Sequence, residues 1–130
     1  MKQLWAPWRM TYIQQPSKEP GCIFCQKIRE DDSREALVLA HTGHSVIMLN
    51  KYPYANGHLL LAPKRHEKQL SGLSTAEYAD LNEALRRSID IVRESYHPAG
   101  MNLGMNLGKC AGAGIEDHLH WHIVPRWEGD

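Results

Sequence analysis

The most constraining feature of this sequence is residues 118–124, where two kinds of side chain alternate over the first six positions. One kind is imidazole and the other apolar: His118, His120 and His122 against Leu119, Trp121 and Ile123. Because alternate residues of a strand lie on one face about 6.8 Å apart, the segment predicts a strand with an apolar face and a row of histidines. Buried imidazoles need polar partners, and imidazole is a common metal ligand and acid–base group. The row therefore indicates a functional site.

Alternation and short apolar runs predict four further strands, at residues 36–40, 45–50, 58–62 and 101–107. A long helix is predicted to begin at Ser74, which forms a capping box with Glu77, and to end at residues 97–100. One apolar stripe follows helical spacing and is assigned to the core: Tyr78, Leu81, Leu85, Ile89, Val92 and Tyr96. Residues 22–29 are assigned to a short helix or a knuckle. Strands with one long helix predict an α+β fold with a mainly antiparallel sheet.

Composition narrows the classes of function. The chain has 15 basic and 15 acidic residues, and a general nucleic-acid binder usually carries a basic surplus. No stretch approaches the roughly 18 apolar residues of a membrane span, and the first residues lack the apolar run of a signal peptide. Three cysteines form a poor disulfide framework. A cytoplasmic protein with no membrane or nucleic-acid partner is the expectation.

The histidine row suits chemistry at phosphorus. Neutral imidazole is a good nucleophile, and its phosphoryl adduct passes the group on to water or another acceptor. A second imidazole can hold a phosphoryl oxygen or protonate the departing one. The glycine-rich residues 108–114 offer backbone N–H groups to phosphate oxygens. Since His120 has a histidine on either side, it is the expected nucleophile.

The pair Cys22-x-x-Cys25 is half of a zinc site by ligand chemistry. A redox pair and two buried cysteines are the alternatives. A thioredoxin-type motif has a strand before it and a helix after it, and the proline-rich residues 16–20 argue against that context.

These residues together resemble a known family. His-Leu-His-Trp-His-Ile-Val at 118–124 matches the histidine triad (HIT) signature, and the likeness extends to Cys-Ile-Phe-Cys at 22–25 and to Gly57-His58 followed by His66. The opening Leu-Trp-Ala-Pro-Trp-Arg at 4–9 and the closing residues 122–130 are similar to the branch that contains diadenosine tetraphosphate phosphorylases. The resemblance implies a single HIT-like domain over residues 1–130, with about five strands, one long helix and a short one. Residues 1–21 are predicted to be an N-terminal packing arm.

The resemblance also implies roles for individual residues. His120 would form a nucleoside monophosphate adduct, His122 would bind an α-phosphate oxygen, and His58 would lie close to the reacting phosphate. Six residues would bind the nucleotide through ribose, base or phosphate: Asn50, Met48, Ile28, Asn106, Gly112 and Gly114. Four would hold a structural zinc ion: Cys22, Cys25, His66 and His118. An adenine nucleotide as substrate and a two-fold homodimer with joined sheets are further implications.

The sequence departs from the family pattern in two places. Many members carry Ala-Gly-Gln before the triad, where the glutamine assists the leaving group. Here residues 111–117 read Ala-Gly-Ala-Gly-Ile-Glu-Asp, about one residue longer and without glutamine. Relatives of this branch usually continue beyond the Trp-Glu-Gly-Asp of residues 127–130, so the C-terminal tail of relatives is expected to be absent.

Two other classes of function compete with a hydrolase or phosphorylase. The first is a zinc-stabilised module that binds a nucleotide or a protein without turnover. The second is a nucleic-acid module built on zinc with Trp5, Trp8 and Trp121. Zero net charge counts against the second, and strand alternation turns Trp121 toward the core.

Overall fold

A five-stranded antiparallel sheet organises the chain. The structure, a computed structural model, describes residues 22–29, 37–50, 57–111 and 118–129. The strands, in the spatial order β1-β2-β3-β5-β4, are β1 Val38–His41, β2 Ser45–Leu49, β3 Leu59–Pro63, β4 Gly100–Gly104 and β5 Trp121–Arg126. The helices of the described residues are α1 Ile23–Arg29 and α2 Thr75–Tyr96, with 3₁₀ turns at Leu70–Gly72 and Lys109–Ala111. The predicted α+β class, with its antiparallel sheet and its long and short helices, is confirmed; residues 1–21, the predicted arm, lie outside the described residues.

Helix α2 covers one face of the sheet, which we call the helix face. It begins at the predicted capping box: Ser74 Oγ accepts from the Glu77 backbone N–H, and the Glu77 carboxylate accepts from the Ser74 N–H. One buried cluster joins the helix to the sheet: Leu81, Ala84 and Val92 pack with Ile47, Leu59, Leu61, Leu119 and Ile123. Neither α1 nor α2 is long and apolar enough to cross a membrane.

The predicted helix stripe was wrong at its margins. Tyr78 and Tyr96 are more than 40% exposed, while Ala84 and Ser88 are buried. The buried line therefore runs through smaller side chains, and the two tyrosines lie in the first and last turns of α2. Tyr96 instead packs over Gly57, whose positive φ of 80° and missing side chain admit the ring.

Helix α1 covers the opposite face, which we call the histidine face. Phe24 of α1 is buried against Val46, Met48 and Ala62, residues that alternate with those of the helix face. His122 pairs with Leu60 across β3 and β5, and Leu60 packs on this cluster. The two strands therefore separate an apolar packing side from a side that carries imidazole.

Two strand predictions need correction. The strand predicted at 118–124 begins only at Trp121 and runs to Arg126, because His118 bonds to Pro63 at the end of β3 and Leu119 bonds to Glu67 beyond it, so neither enters the ladder. The strand predicted at 101–107 is Gly100–Gly104, since its partner β5 supplies no ladder beyond the Gly104–His122 pair. Apolar alternation alone did not locate either end.

The N-terminus of α2 is anchored to the segment that follows β3. The Arg65 guanidinium makes a two-pronged ion pair with Glu77, with Nε–Oε2 and Nη2–Oε1 distances of 2.9 and 3.0 Å. This hydrogen bonding with Arg65, together with the Ser74 backbone N–H, lowers the pKa of Glu77 from 4.5 to about 2. Between the two pKa values, this carboxylate therefore stays ionised in the folded state, whereas in the unfolded chain it would take up a proton.

Acid should weaken the fold partly through Glu77. The pKa of Glu77 is depressed in the folded state. Its contribution to the free energy of unfolding is therefore complete above the unfolded pKa of 4.5 and is lost as pH falls toward 2. We expect Glu77→Gln to lower the melting temperature at neutral pH, and the deficit relative to wild type to shrink over that range. Thermal unfolding across the pH series, with the exposed Glu94→Gln as control, measures this. A deficit that is constant with pH would contradict the prediction.

Candidate active site and metal centre

Four predicted metal ligands come together beneath the histidine face. Cys22 and Cys25 flank the start of α1, His66 lies in the segment after β3, and His118 precedes β5. Their ligand atoms all lie within 4.8 Å of one another. The Cys22 Sγ–His118 Nδ1, Cys25 Sγ–His66 Nδ1 and Cys25 Sγ–His118 Nδ1 distances are 3.3, 3.4 and 3.6 Å.

These distances fit a tetrahedral metal site. With metal–sulfur and metal–nitrogen bonds of about 2.3 and 2.0 Å, a sulfur–nitrogen edge of the tetrahedron is about 3.5 Å. The His118 Nε2 lies 2.7 Å from the Pro63 carbonyl oxygen, which can only accept, so Nε2 carries the proton and Nδ1 offers its lone pair to the cluster. A second hydrogen bond of this kind commonly orients a ligating histidine. The four residues can therefore hold zinc.

Burial shifts the pKa values of two of these four side chains. It lowers the pKa of His118 and raises that of Cys22, because desolvation disfavours both imidazolium and thiolate. Neutral imidazole is already the ligating form, whereas a cysteine ligand must lose its proton when it binds a metal ion. Metal binding here would release thiol protons.

His120 is oriented by its own chain. Its Nδ1 lies 3.0 Å from the His118 carbonyl oxygen, an acceptor, so Nδ1 carries the proton and Nε2 is the unprotonated nitrogen. The ring is buried, and its centroid lies 4.8 Å from that of His122. This tautomer is the one that a nucleophile at Nε2 requires.

A chain of hydrogen bonds links His122, His58 and Asn50. The Asn50 amide nitrogen donates to His58 Nδ1 at 3.2 Å, and His58 Nε2 then donates to His122 Nδ1 at 3.0 Å. His122 consequently carries its proton on Nε2, where it can donate to an oxyanion. His58 and His122 are both buried, so the orientation of the pair is held by these bonds.

The remaining predicted residues fall into three groups. Met48 and Ile28 belong to the cluster around Phe24 and share one apolar wall. Asn106 is half-buried two residues beyond the end of β4. Gly112 and Gly114 lie outside the described residues.

Sequence reasoning missed Phe24, which the structure puts beside the histidines. Its ring centroid lies 5.3 Å from that of His118 and 4.7 Å from that of His120, and the side chain is 1% exposed. The signal was present, since this phenylalanine is the only one in the chain and lies between the two cysteines. Through Phe24, α1 packs against both histidines.

Known proteins are similar to this chain over most of its length. The model of the HIT domain family matches residues 32–129. The chain is 36% identical to an AP-4-A phosphorylase of Mycobacterium tuberculosis over all of its own length and 70% of that protein. It is 32% identical to a bis(5'-adenosyl)-triphosphatase of Dictyostelium discoideum over 75% of this chain and 64% of that protein.

A solved structure supports the same grouping. A zinc-bound histidine triad family protein from Mycobacterium smegmatis superimposes with a TM-score of 0.71 and 29% identity, over 85% of this chain and 78% of that one. The family model covers most of the sequence. It includes the three alternating histidines but not α1. The chain therefore belongs to the HIT domain family, with a resemblance to its diadenosine tetraphosphate phosphorylase branch.

Proposed function

We propose that this protein cleaves the α-phosphate linkage of dinucleoside polyphosphates, or of related nucleotidyl compounds, through a nucleotidyl-histidine on His120. The observation that carries the proposal is the bond from His120 Nδ1 to the His118 carbonyl, which leaves Nε2 as the unprotonated nitrogen. The names of the two relatives, a phosphorylase and a triphosphatase of adenosine polyphosphates, support this class of substrate.

The reaction divides into two displacements at the α-phosphorus. The lone pair of His120 Nε2 forms a nitrogen–phosphorus bond while the phosphorus–oxygen bond to the leaving polyphosphate breaks. The imidazole becomes cationic at this point, and the His118 carbonyl that accepts its Nδ1–H stabilises that charge. Water or phosphate then attacks phosphorus, the nitrogen–phosphorus bond breaks, and neutral His120 is restored; when water is the acceptor, the proton that it loses passes to solvent.

His122 and His58 assist at the phosphate. With its proton on Nε2, His122 is suited to donate to an α-phosphate oxygen as negative charge develops there. His58 and Asn50 fix that tautomer from behind. We assign Met48 and Ile28 to the base pocket, Asn50 to the ribose, and Asn106, Gly112 and Gly114 to the phosphates, with adenine as the favoured base.

Replacing His120 should remove the covalent route. We expect His120→Asn to lower kcat by several orders of magnitude while nucleotide binding and metal content persist, because only the nucleophile is lost. The assay supplies diadenosine tetraphosphate with and without inorganic phosphate. Transfer to phosphate gives ADP, transfer to water gives AMP, and either route releases ATP.

The matched control is His41→Asn, an exposed histidine on β1. Rapid quench should trap an acid-labile nucleotidyl adduct on wild type and on this control, and none on His120→Asn. A correctly folded His120→Asn enzyme with full activity would end the proposal. Tight nucleotide binding by a wild type that forms no product would favour a zinc-stabilised binding module instead.

We also propose a structural zinc ion held by Cys22, Cys25, His66 and His118, because four protein ligands leave no position open for water. Elemental analysis should find about one zinc per chain, as for other structural sites of this type. Cys25→Ser should lose the metal and melt at a lower temperature, whereas Cys110→Ser, at an exposed position, should do neither. Purified wild type without zinc, and without a gain in melting temperature on its addition, would contradict the assignment.

A two-fold dimer is the third part of the proposal. Strand β4 is an edge strand, and Leu103 on it is 44% exposed, so pairing of two β4 edges would cover it. Light scattering at micromolar concentration should report a dimer for wild type and a monomer for Leu103→Lys. Leu39→Lys, on the opposite edge strand β1, should stay dimeric. A monomeric wild type would refute the dimer.

A further inference from the structure

Between β3 and α2, residues 64–74 form a segment whose side-chain contacts converge on one arginine. Arg65 Nε and Nη2 bind the two oxygens of Glu77, Nη2 also donates to the Gly72 carbonyl at 2.6 Å, and Nη1 lies 3.3 Å from Glu67 Oε1. Glu67 and Gly72 of the segment and Glu77 of α2 thus converge on one guanidinium. Arg65 is half-exposed, yet its contacts form a closed network rather than a single surface pair.

The anchor of this network is rigid. Glu77 belongs to the first turn of α2 and completes the capping box, and α2 is packed on the core through Leu81. Within the segment, Glu67 Oε2 accepts from the backbone N–H groups of Lys68 and Gln69 at 3.1 and 3.2 Å. A side chain on Gly72 would collide with the Glu67 carboxylate, so the segment closes tightly on itself.

The same segment carries or contacts both histidine ligands of the metal site. His66 lies between Arg65 and Glu67 in the chain. The Pro63 carbonyl accepts from His118 Nε2 at 2.7 Å, and the Glu67 carbonyl accepts from the Leu119 backbone N–H at 2.8 Å. In the chain, Arg65 therefore lies midway between Pro63 and Glu67, whose carbonyls bind the segment before β5.

The second of these contacts leads to the proposed nucleophile. Leu119 is the residue between His118 and His120, and the His118 carbonyl accepts from His120 Nδ1. A shift of the Glu67 carbonyl would move the Leu119 N–H, and with it the peptide that orients His120. The metal ligands and the nucleophile thus depend on one supported loop.

We propose that Arg65 is a positioning residue, which through Glu77 and Gly72 holds the 63–67 segment so that His66, His118 and His120 are preorganised. This inference rests on the metal site and the reaction proposed above. An isolated surface ion pair contributes little to stability. A guanidinium that joins two carboxylates and a carbonyl instead fixes geometry, which lysine cannot reproduce because its donors radiate from a single nitrogen.

Zinc release from the purified holoprotein tests the inference without any assay of activity. Removing a group that supports metal ligands typically lowers metal affinity about 10- to 100-fold, so a chromogenic chelator in excess should take zinc from Arg65→Gln faster than from wild type by a factor of about that size. Arg65→Lys should keep the charge but recover little of the retention. The control is Arg87→Gln, which breaks a side-chain pair with Glu83 on the exposed side of α2 and should release zinc at the wild-type rate.

Two further measurements separate positioning from simple destabilisation. Arg65→Gln should lower kcat for diadenosine tetraphosphate by more than it raises KM, since substrate binding residues are unchanged while His120 is less well oriented. Its gain in melting temperature on adding zinc should also be smaller than that of wild type, because looser ligands bind the metal more weakly.

Several results would contradict the role proposed for Arg65. Unchanged zinc release by Arg65→Gln together with unchanged kcat would overturn the inference, as would equal falls in melting temperature with and without zinc. Wild-type zinc retention in Arg65→Lys would show that only the charge of Arg65 matters. It would overturn the role proposed for the forked guanidinium. A wild type that binds zinc without turnover refutes the proposed reaction alone, and one that turns over without zinc refutes the metal half of the inference.

Discussion

The histidine face depends on how His118 satisfies its polar groups inside the protein. Its ring is fully buried, so each nitrogen needs a partner: Nε2 donates to the Pro63 carbonyl, and Nδ1 meets the sulfurs of Cys22 and Cys25. Its own carbonyl accepts from His120. One residue thus connects β3, α1 and the proposed nucleophile. A different tautomer at His118 would set a ring proton against the sulfurs and lose the bond to Pro63.

The sheet divides labour between its faces. On the helix face, apolar residues from β2, β3 and β5 pack on α2, and such burial of apolar surface favours folding. On the histidine face, the smaller cluster around Phe24 shares space with buried imidazoles, each of which is held by a hydrogen bond. The polar side can be arranged for chemistry because the apolar side fixes the strands.

Sequence patterns predicted the elements better than their ends. Ser74 and Glu77 marked the start of α2 correctly, because a capping box is a local structure made by neighbouring residues. The start of β5 was misplaced, because His118 and Leu119 find their partners at Pro63 and Glu67, more than fifty residues away. The exposure of Tyr78 and Tyr96 was also missed, since spacing reports which side of a helix is apolar but not how closely the sheet approaches it.

The sequence by itself determined the types of residue available for chemistry. Three alternating histidines, two cysteines and two further histidines supply the candidates for a nucleophile, its assistants and a set of metal ligands, because those properties belong to side chains. Only the tertiary structure decided which nitrogen of each imidazole carries the proton and which residues support it. The carbonyls of Pro63, Glu67 and His118 leave no pattern in a sequence, since every residue has one. Their roles arise from the close approach of β3, α2 and the segment before β5, which is a property of the folded chain.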